Sequence, residues 1–161
     1  MDELLQILSR DARIPIPDLA AMTGRSEDDV RAAIAEYERR GTILRYRAVL
    51  NPEHIDAANG KVRAWIEVNV TPQRGLGFDA IAERIYRFPE VKSCYLLSGG
   101  YDLLLMVECD SLHQVGAFVA EKLATQENVT RTATHFLLKI YKQDDDIFHG
   151  GDSSERLPVS P

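Results

Sequence analysis

A chain of 161 residues, 45% apolar and 27% charged, fits one globular domain or two small ones. It holds no run of the ~18 apolar residues that a membrane-spanning helix needs. Met1-Asp2-Glu3-Leu4 lacks a basic secretory start, and two cysteines, Cys94 and Cys109, are too few for a disulfide scaffold, so a reduced, cytoplasmic setting is expected. The net charge of −6 is uneven: residues 1–60 carry 8 basic and 11 acidic side chains, 61–142 carry 10 and 9, and the stretch from Gln143 carries 1 and 5. Affinity for nucleic acid follows the Lys and Arg contacts actually made, so this acidity weighs against a DNA-binding surface without excluding one.

Leu4, Leu5 and Leu8 give a first helix an apolar stripe, which Ile14-Pro15-Ile16-Pro17 ends. Pro17 fits the first turn of a short second helix, Asp18 to Met22. Thr23-Gly24-Arg25 then predicts a tight turn, with Gly24 free to take a positive φ. Ser26 is the expected N-cap of a third helix, paired with Asp29 in a capping-box pattern. In that helix Val30, Ala33, Ile34 and Tyr37 fall on one face, and Gly41 stops it.

A short helix, a glycine turn and a longer capped helix form a helix-turn-helix pattern, whose second helix enters the DNA major groove. Arg25, Ser26 and Arg31 are candidates for contact there. The alternation from Thr42 to Leu50 predicts a small β-wing that would carry Arg45 and Arg47 to phosphates. The same residues admit a plain reading: Glu27 and Arg31 form a surface pair, and Glu27, Asp28 and Asp29 stabilise the helix dipole.

Beyond a linker at 51–60, Val62 to Val70 alternates as a strand, and Phe78, Ile81, Ala82, Ile85 and Phe88 recur at helical spacing. Val91 to Leu97 reads as a second strand, Ser98-Gly99-Gly100 as a turn, and Tyr101 to Glu108 as a third strand. Leu112, Val115, Val119 and Leu123 mark a second helix, and Val129 to Tyr141 a fourth strand. The order β-α-β-β-α-β is the ferredoxin-like arrangement, with both helices on one sheet face. The central strands are apolar on both faces, so a second subunit is expected to cover the other. The fold class is thus α+β: a winged helix-turn-helix at 1–50, an α/β domain at 61–142, and an acidic tail at 143–161 that is low in hydrophobicity and expected to be disordered.

A helix-turn-helix ahead of this βαββαβ order resembles the Lrp/AsnC family of feast/famine regulators over roughly residues 1–142. The stretch Cys94-Tyr95-Leu96-Leu97-Ser98-Gly99-Gly100-Tyr101-Asp102-Leu103 looks like the family's glycine-rich turn ending in an aromatic residue and Asp. Leu50-Asn51-Pro52 looks like its exit from the wing. The resemblance implies a DNA-binding regulator that assembles as dimers, often further to octamers, and binds an amino acid or related metabolite between dimers. It places the effector at Ser98, Gly99, Gly100, Tyr101 and Asp102, with Thr132 and Thr134 facing them. Glycines let backbone amides approach a ligand carboxylate, and Asp102 could receive an ammonium. The turn can equally be a plain hairpin turn, the threonines ordinary strand residues, and Asp102 an inter-subunit acceptor.

His54, His113, His135 and His149 are scattered, so neither a metal nor another cofactor is expected. No phosphate loop or nucleophile elbow occurs. Two rivals keep the same architecture: an enzyme resembling the sirohaem decarboxylases, and a ligand-sensing oligomer without DNA binding.

Overall fold

Leu4, Leu19, Ala20 and Val30 are buried together in the N-terminal part of the chain, with Ile7, Leu8, Ile14, Ile16, Ala33, Ile34 and Tyr37 packed around them. The computed structural model describes residues 2–51, 60–71 and 77–148, and divides into two compact units, Met1–Leu50 and Asn51–Pro161.

In the first unit α1 spans Glu3–Arg10, α2 Ile16–Thr23 and α3 Glu27–Arg39. The second helix starts two residues earlier than the sequence predicts, because Pro17 tolerates either first-turn position. Gly24 takes φ 65° and closes α2, with the Arg25 amide donating to the Ala20 carbonyl at 3.1 Å. Ser26 caps α3 by accepting from the Asp29 amide at 3.1 Å. Gly41 ends that helix at φ 70°. The wing expected over Thr42–Leu50 is not a strand: residues 45–50 are exposed, without regular secondary structure and without a ladder partner among the described residues. Alternation supplies the faces of a strand but not the neighbouring backbone that must hydrogen-bond to it. Of the linker expected at 51–60, residues 52–59 lie outside the described residues.

The second unit holds a four-stranded antiparallel sheet in the order β2-β3-β1-β4, with β1 at Val62–Val70, β2 at Val91–Leu96, β3 at Leu103–Cys109 and β4 at Val129–Phe136. Helices α4 (Phe78–Tyr86) and α5 (Leu112–Ala117) cover one face. There Ala64, Ile66, Val68, Leu103, Leu105 and Val107 meet Ile81, Ile85, Val115, Phe118 and Leu123 in one core. A π-helical turn, Phe118–Leu123, follows α5 directly. Its wider turn shifts the buried face, so Phe118, and not the expected Val119, is the fully buried residue between Val115 and Leu123. Phe118 and Phe88 pack as a T-shaped pair with 5.7 Å between ring centroids.

The fourth strand ends at Phe136, short of the expected Tyr141. Beyond it, where a disordered tail is expected from Gln143, residues 142–147 form a hairpin, β5 (Lys142–Gln143) against β6 (Asp146–Ile147). Its loop is Asp144-Asp145, with φ 49° and 72°. Two successive positive-φ residues make the hairpin turn whose twist suits antiparallel strands, and Asp is among the residues that tolerate it. Residues 149–161 lie outside the described ones.

Candidate functional site

In α3 the buried face runs through Val30, so the opposite stripe is Asp28, Arg31, Ala32 and Ala35, all exposed. Two of these, Ala32 and Ala35, carry no polar group and escape a search for polar candidates. They keep the stripe low where a groove floor would approach. Arg31 lies along its own helix, with Nη2 2.9 Å from Glu27 Oε2 and Nη1 3.6 Å from Asp28 Oδ1. Ser26 is spent on the cap, its hydroxyl donating to Asp29 Oδ2 at 2.6 Å.

Arg25 belongs to a different arrangement. Its Nη2 straddles both carboxylate oxygens of Asp2, at 2.9 and 3.0 Å. Asp2 also caps α1 by accepting from the Leu4 amide at 2.9 Å, and it takes a short hydrogen bond from the Tyr37 hydroxyl. The Tyr37 donor and the Arg25 guanidinium hold the Asp2 carboxyl down at about 2, while the same carboxylate pushes the Tyr37 phenol up. Arg25 thus ties the turn before α3 to both ends of the unit. No local sequence signal marks this network, because its members are 23 and 35 residues from Asp2.

Arg45 and Arg47 are exposed on the irregular segment after Gly41. Between them Tyr46 donates to Glu38 Oε1 at 3.0 Å, and burial together with that carboxylate pushes its phenol up.

At the end of the sheet where β2 turns into β3, residues 98–102 are clasped to β1. The Asp102 amide donates to the Val68 carbonyl at 3.1 Å, and Asp102 Oδ2 accepts from the Val70 amide at 2.9 Å. Asn69 Nδ2 donates to the Gly100 carbonyl at 3.1 Å. One carboxylate oxygen of Asp102 is therefore occupied inside the chain, as a strand clasp. Asn69 completes that clasp and was hidden in the sequence as one outward residue of an alternating strand. Gly99 and Gly100 are exposed, take no left-handed φ, and a Cβ on either would meet nothing within 4 Å. Neither backbone conformation nor packing within the chain calls for glycine there. Thr132 and Thr134, on β4, do not face this turn directly: they pair with Val68 and Ile66 of β1, which lies between.

A cavity of about 440 Å³ opens at the other end of the sheet, where Lys61, Glu90, Asp110 and Lys122 line it. These four pair with one another, Lys122 Nζ to Glu90 Oε1 at 2.5 Å and Lys61 to Asp110. Cys109 beside it is buried, which pushes its thiol up and away from nucleophilic use. Among the described residues no group of His, Cys, Asp and Glu is arranged to hold a metal ion, and no helix is long and apolar enough to cross a membrane.

Comparison with known proteins gives this geometry a context. The family model of the Lrp/AsnC ligand binding domain matches residues 63–147, a span that includes the 142–147 hairpin. The uncharacterized HTH-type transcriptional regulator YugG of Bacillus subtilis is 43% identical over 159 residues, covering 99% of this chain and 95% of its own. The leucine-responsive regulatory protein of Escherichia coli is 28% identical over 142 residues, covering 87% of this chain and 84% of its own. Among solved structures, a transcriptional regulator of Neisseria meningitidis in complex with L-Met superimposes with a TM-score of 0.69 at 26% identity, covering 87% of this chain and 88% of that one. A feast or famine regulatory protein of M. tuberculosis complexed with L-methionine gives 0.70 at 26% identity, covering 91% and 95%.

Proposed function

Because the chain belongs to the Lrp/AsnC family, we propose that it is a DNA-binding transcriptional regulator whose assembly or DNA affinity is modulated by a small effector, an amino acid being the favoured class. The observation that carries this reading is the pairing of a capped helix-turn-helix unit with a βαββαβ unit whose strand turn holds two glycines that the chain itself does not need. A ligand carboxylate needs that bare backbone, and two of the similar structures hold methionine.

In this reading α3 enters the major groove, with Ser26 and Arg31 nearest the bases and Arg45 and Arg47 on phosphates. Arg25 supports the surface from behind through Asp2. Ser98 to Asp102 form the effector turn, and Thr132, one strand away, belongs to its margin more than Thr134 does. Dimers set two reading helices about one DNA turn, or a multiple of it, apart. The effector shifts that assembly by no more than its difference in affinity between the two states. Catalysis forms no part of the proposal, since the relatives above are regulators.

A second reading, a ligand-sensing oligomer without DNA binding, is favoured by one observation: Arg31 is held by carboxylates of its own helix. Fluorescence anisotropy with duplex DNA from upstream of the protein's own gene, against a scrambled duplex over a salt series, decides between them. Sequence-preferring binding that falls linearly in log[salt] is expected. No binding at low salt would leave the sensor reading alone.

A further inference from the structure

Asp28 is the most exposed member of the α3 ion-pair group, its side chain 98% accessible, and the helix cap does not use it. Ser26 accepts the Asp29 amide and Asp29 takes the Ser26 hydroxyl, so N-terminal capping is complete without it. Arg31 lies on the same outward stripe, one turn on, with Nη1 3.6 Å from Asp28 Oδ1 while Nη2 holds Glu27. Ala32 and Ala35 continue the stripe with methyl groups only. On this profile the first turn carries Asp28 and Arg31 outward, and the two alanines beyond leave room for that turn to approach the groove floor. It then leads with a carboxylate. Near phosphates a carboxylate repels, so beyond its contribution to the helix dipole Asp28 can favour DNA binding only where a base edge offers a donor.

We propose that Asp28 determines DNA sequence specificity by accepting a hydrogen bond from the N4 amine of a cytosine in the major groove, an inference that rests on the regulator reading above. The base edges select cytosine on chemical grounds. A carboxylate presents only acceptors. Guanine offers two acceptors, thymine an acceptor and a methyl, and adenine an amine flanked by the N7 acceptor, whereas the cytosine edge offers its amine alone. Arg31 acts as a positioning residue: its guanidinium lies between Glu27 and Asp28 and offsets their charge as the helix approaches DNA. Ala32 and Ala35 suit thymine methyl groups further along the groove.

The test is selection from a random duplex library with the full-length wild type, D28N and D28A, followed by affinity measurements on the enriched site and its single-base variants. The wild type should prefer cytosine at one position per half-site, by about tenfold over other bases. D28N presents a donor beside an acceptor and should move that preference to adenine. D28A should accept any base there and bind more tightly to unrelated sequence. Circular dichroism of each variant checks that the helices persist, and a purely dipolar role for Asp28 would change stability without moving the base preference. An enriched site whose preference is the same in all three proteins overturns the role of Asp28 alone. Absence of any enriched site for the wild type overturns the regulator reading beneath it.

Discussion

Asp2 joins three segments of the N-terminal unit through one carboxylate: the start of α1, the turn before α3 through Arg25, and α3 itself through Tyr37. Its carboxyl titrates at about 2 against an ordinary 3.8. The folded value lies below the unfolded one, so the unfolded chain binds the extra proton between them, and the contribution to stability is full above about pH 4 and lost as pH falls toward 2. Asn caps a helix about as well as Asp, so Asp2→Asn isolates the charge from the cap. Because the pair is partly exposed and screened, the expected loss at pH 6 is only about 1 kcal/mol. Urea unfolding followed by far-ultraviolet circular dichroism should show that gap at pH 6 and its closure near pH 2. A gap that stays constant across this range would mean that the charge contributes nothing.

At the scale of the element, two short segments carry predictions of different kinds. Arg45 and Arg47 are exposed on the irregular stretch after Gly41, and each is proposed to meet a phosphate. Replacing either with Ala should weaken binding to specific and scrambled duplexes alike, and lower the slope of log K against log[salt] by about 1. A loss confined to the specific duplex would instead put these arginines on base edges. The turn at 98–102 makes the opposite kind of prediction. Gly99→Ala introduces a Cβ into open space at an ordinary φ, so the melting temperature should hold or rise slightly. If an amino-acid effector of the proposed class is found, with L-methionine, the ligand named for two similar structures, as the first one tried, the response of DNA affinity to it should weaken in this variant. If stability and response are both unchanged, the turn is not a ligand contact. These two segments also show where sequence reading stops. Helical spacing marks α1 and α4, and spacing together with a capping residue marks α3, because those signals are local. The wing read from alternation is not a strand, since a strand depends on a neighbour that alternation does not encode. The π turn was invisible because Leu112, Val115, Val119 and Leu123 satisfy a helix, yet Phe118 is the residue that turns inward. The 142–147 hairpin did leave a trace, Asp-Asp between short extended pairs, but three consecutive acids read first as a solvated tail. The Asp2 network and the Asn69 clasp join residues distant in sequence, and no periodicity announces them.

At the scale of the whole molecule, the decisive feature is the sheet face opposite α4 and α5. Trp65, Leu104 and Met106 lie on it by register, none of them fully buried, with Trp65 and the half-exposed Tyr95 at 6.5 Å between ring centroids. Arg63 and Glu108 pair at one side of this patch, and His135 meets Glu67 at the other at 3.2 Å. An apolar centre with polar flanks has the anatomy of an interface, and a second copy of the same face is the simplest partner for it. Leu104→Glu tests this without touching the core, because Leu103 and Leu105, its neighbours on β3, carry the helix-side packing. The variant should keep its circular dichroism. Placing a charge in the centre of the proposed contact should raise the dimer dissociation constant at least about a hundredfold, since an unpaired buried charge costs about 3 kcal/mol or more. Sedimentation velocity at micromolar concentration would then show a monomer where the wild type shows a dimer or larger. The consequence reaches the DNA: a monomer presents one reading helix instead of two, so affinity for a two-site duplex should fall toward that for a single half-site, while Arg45 and Arg47 still provide the salt-dependent background. A Leu104→Glu protein that sediments like the wild type would mean that the sheet face stays bare and that assembly is built from another surface.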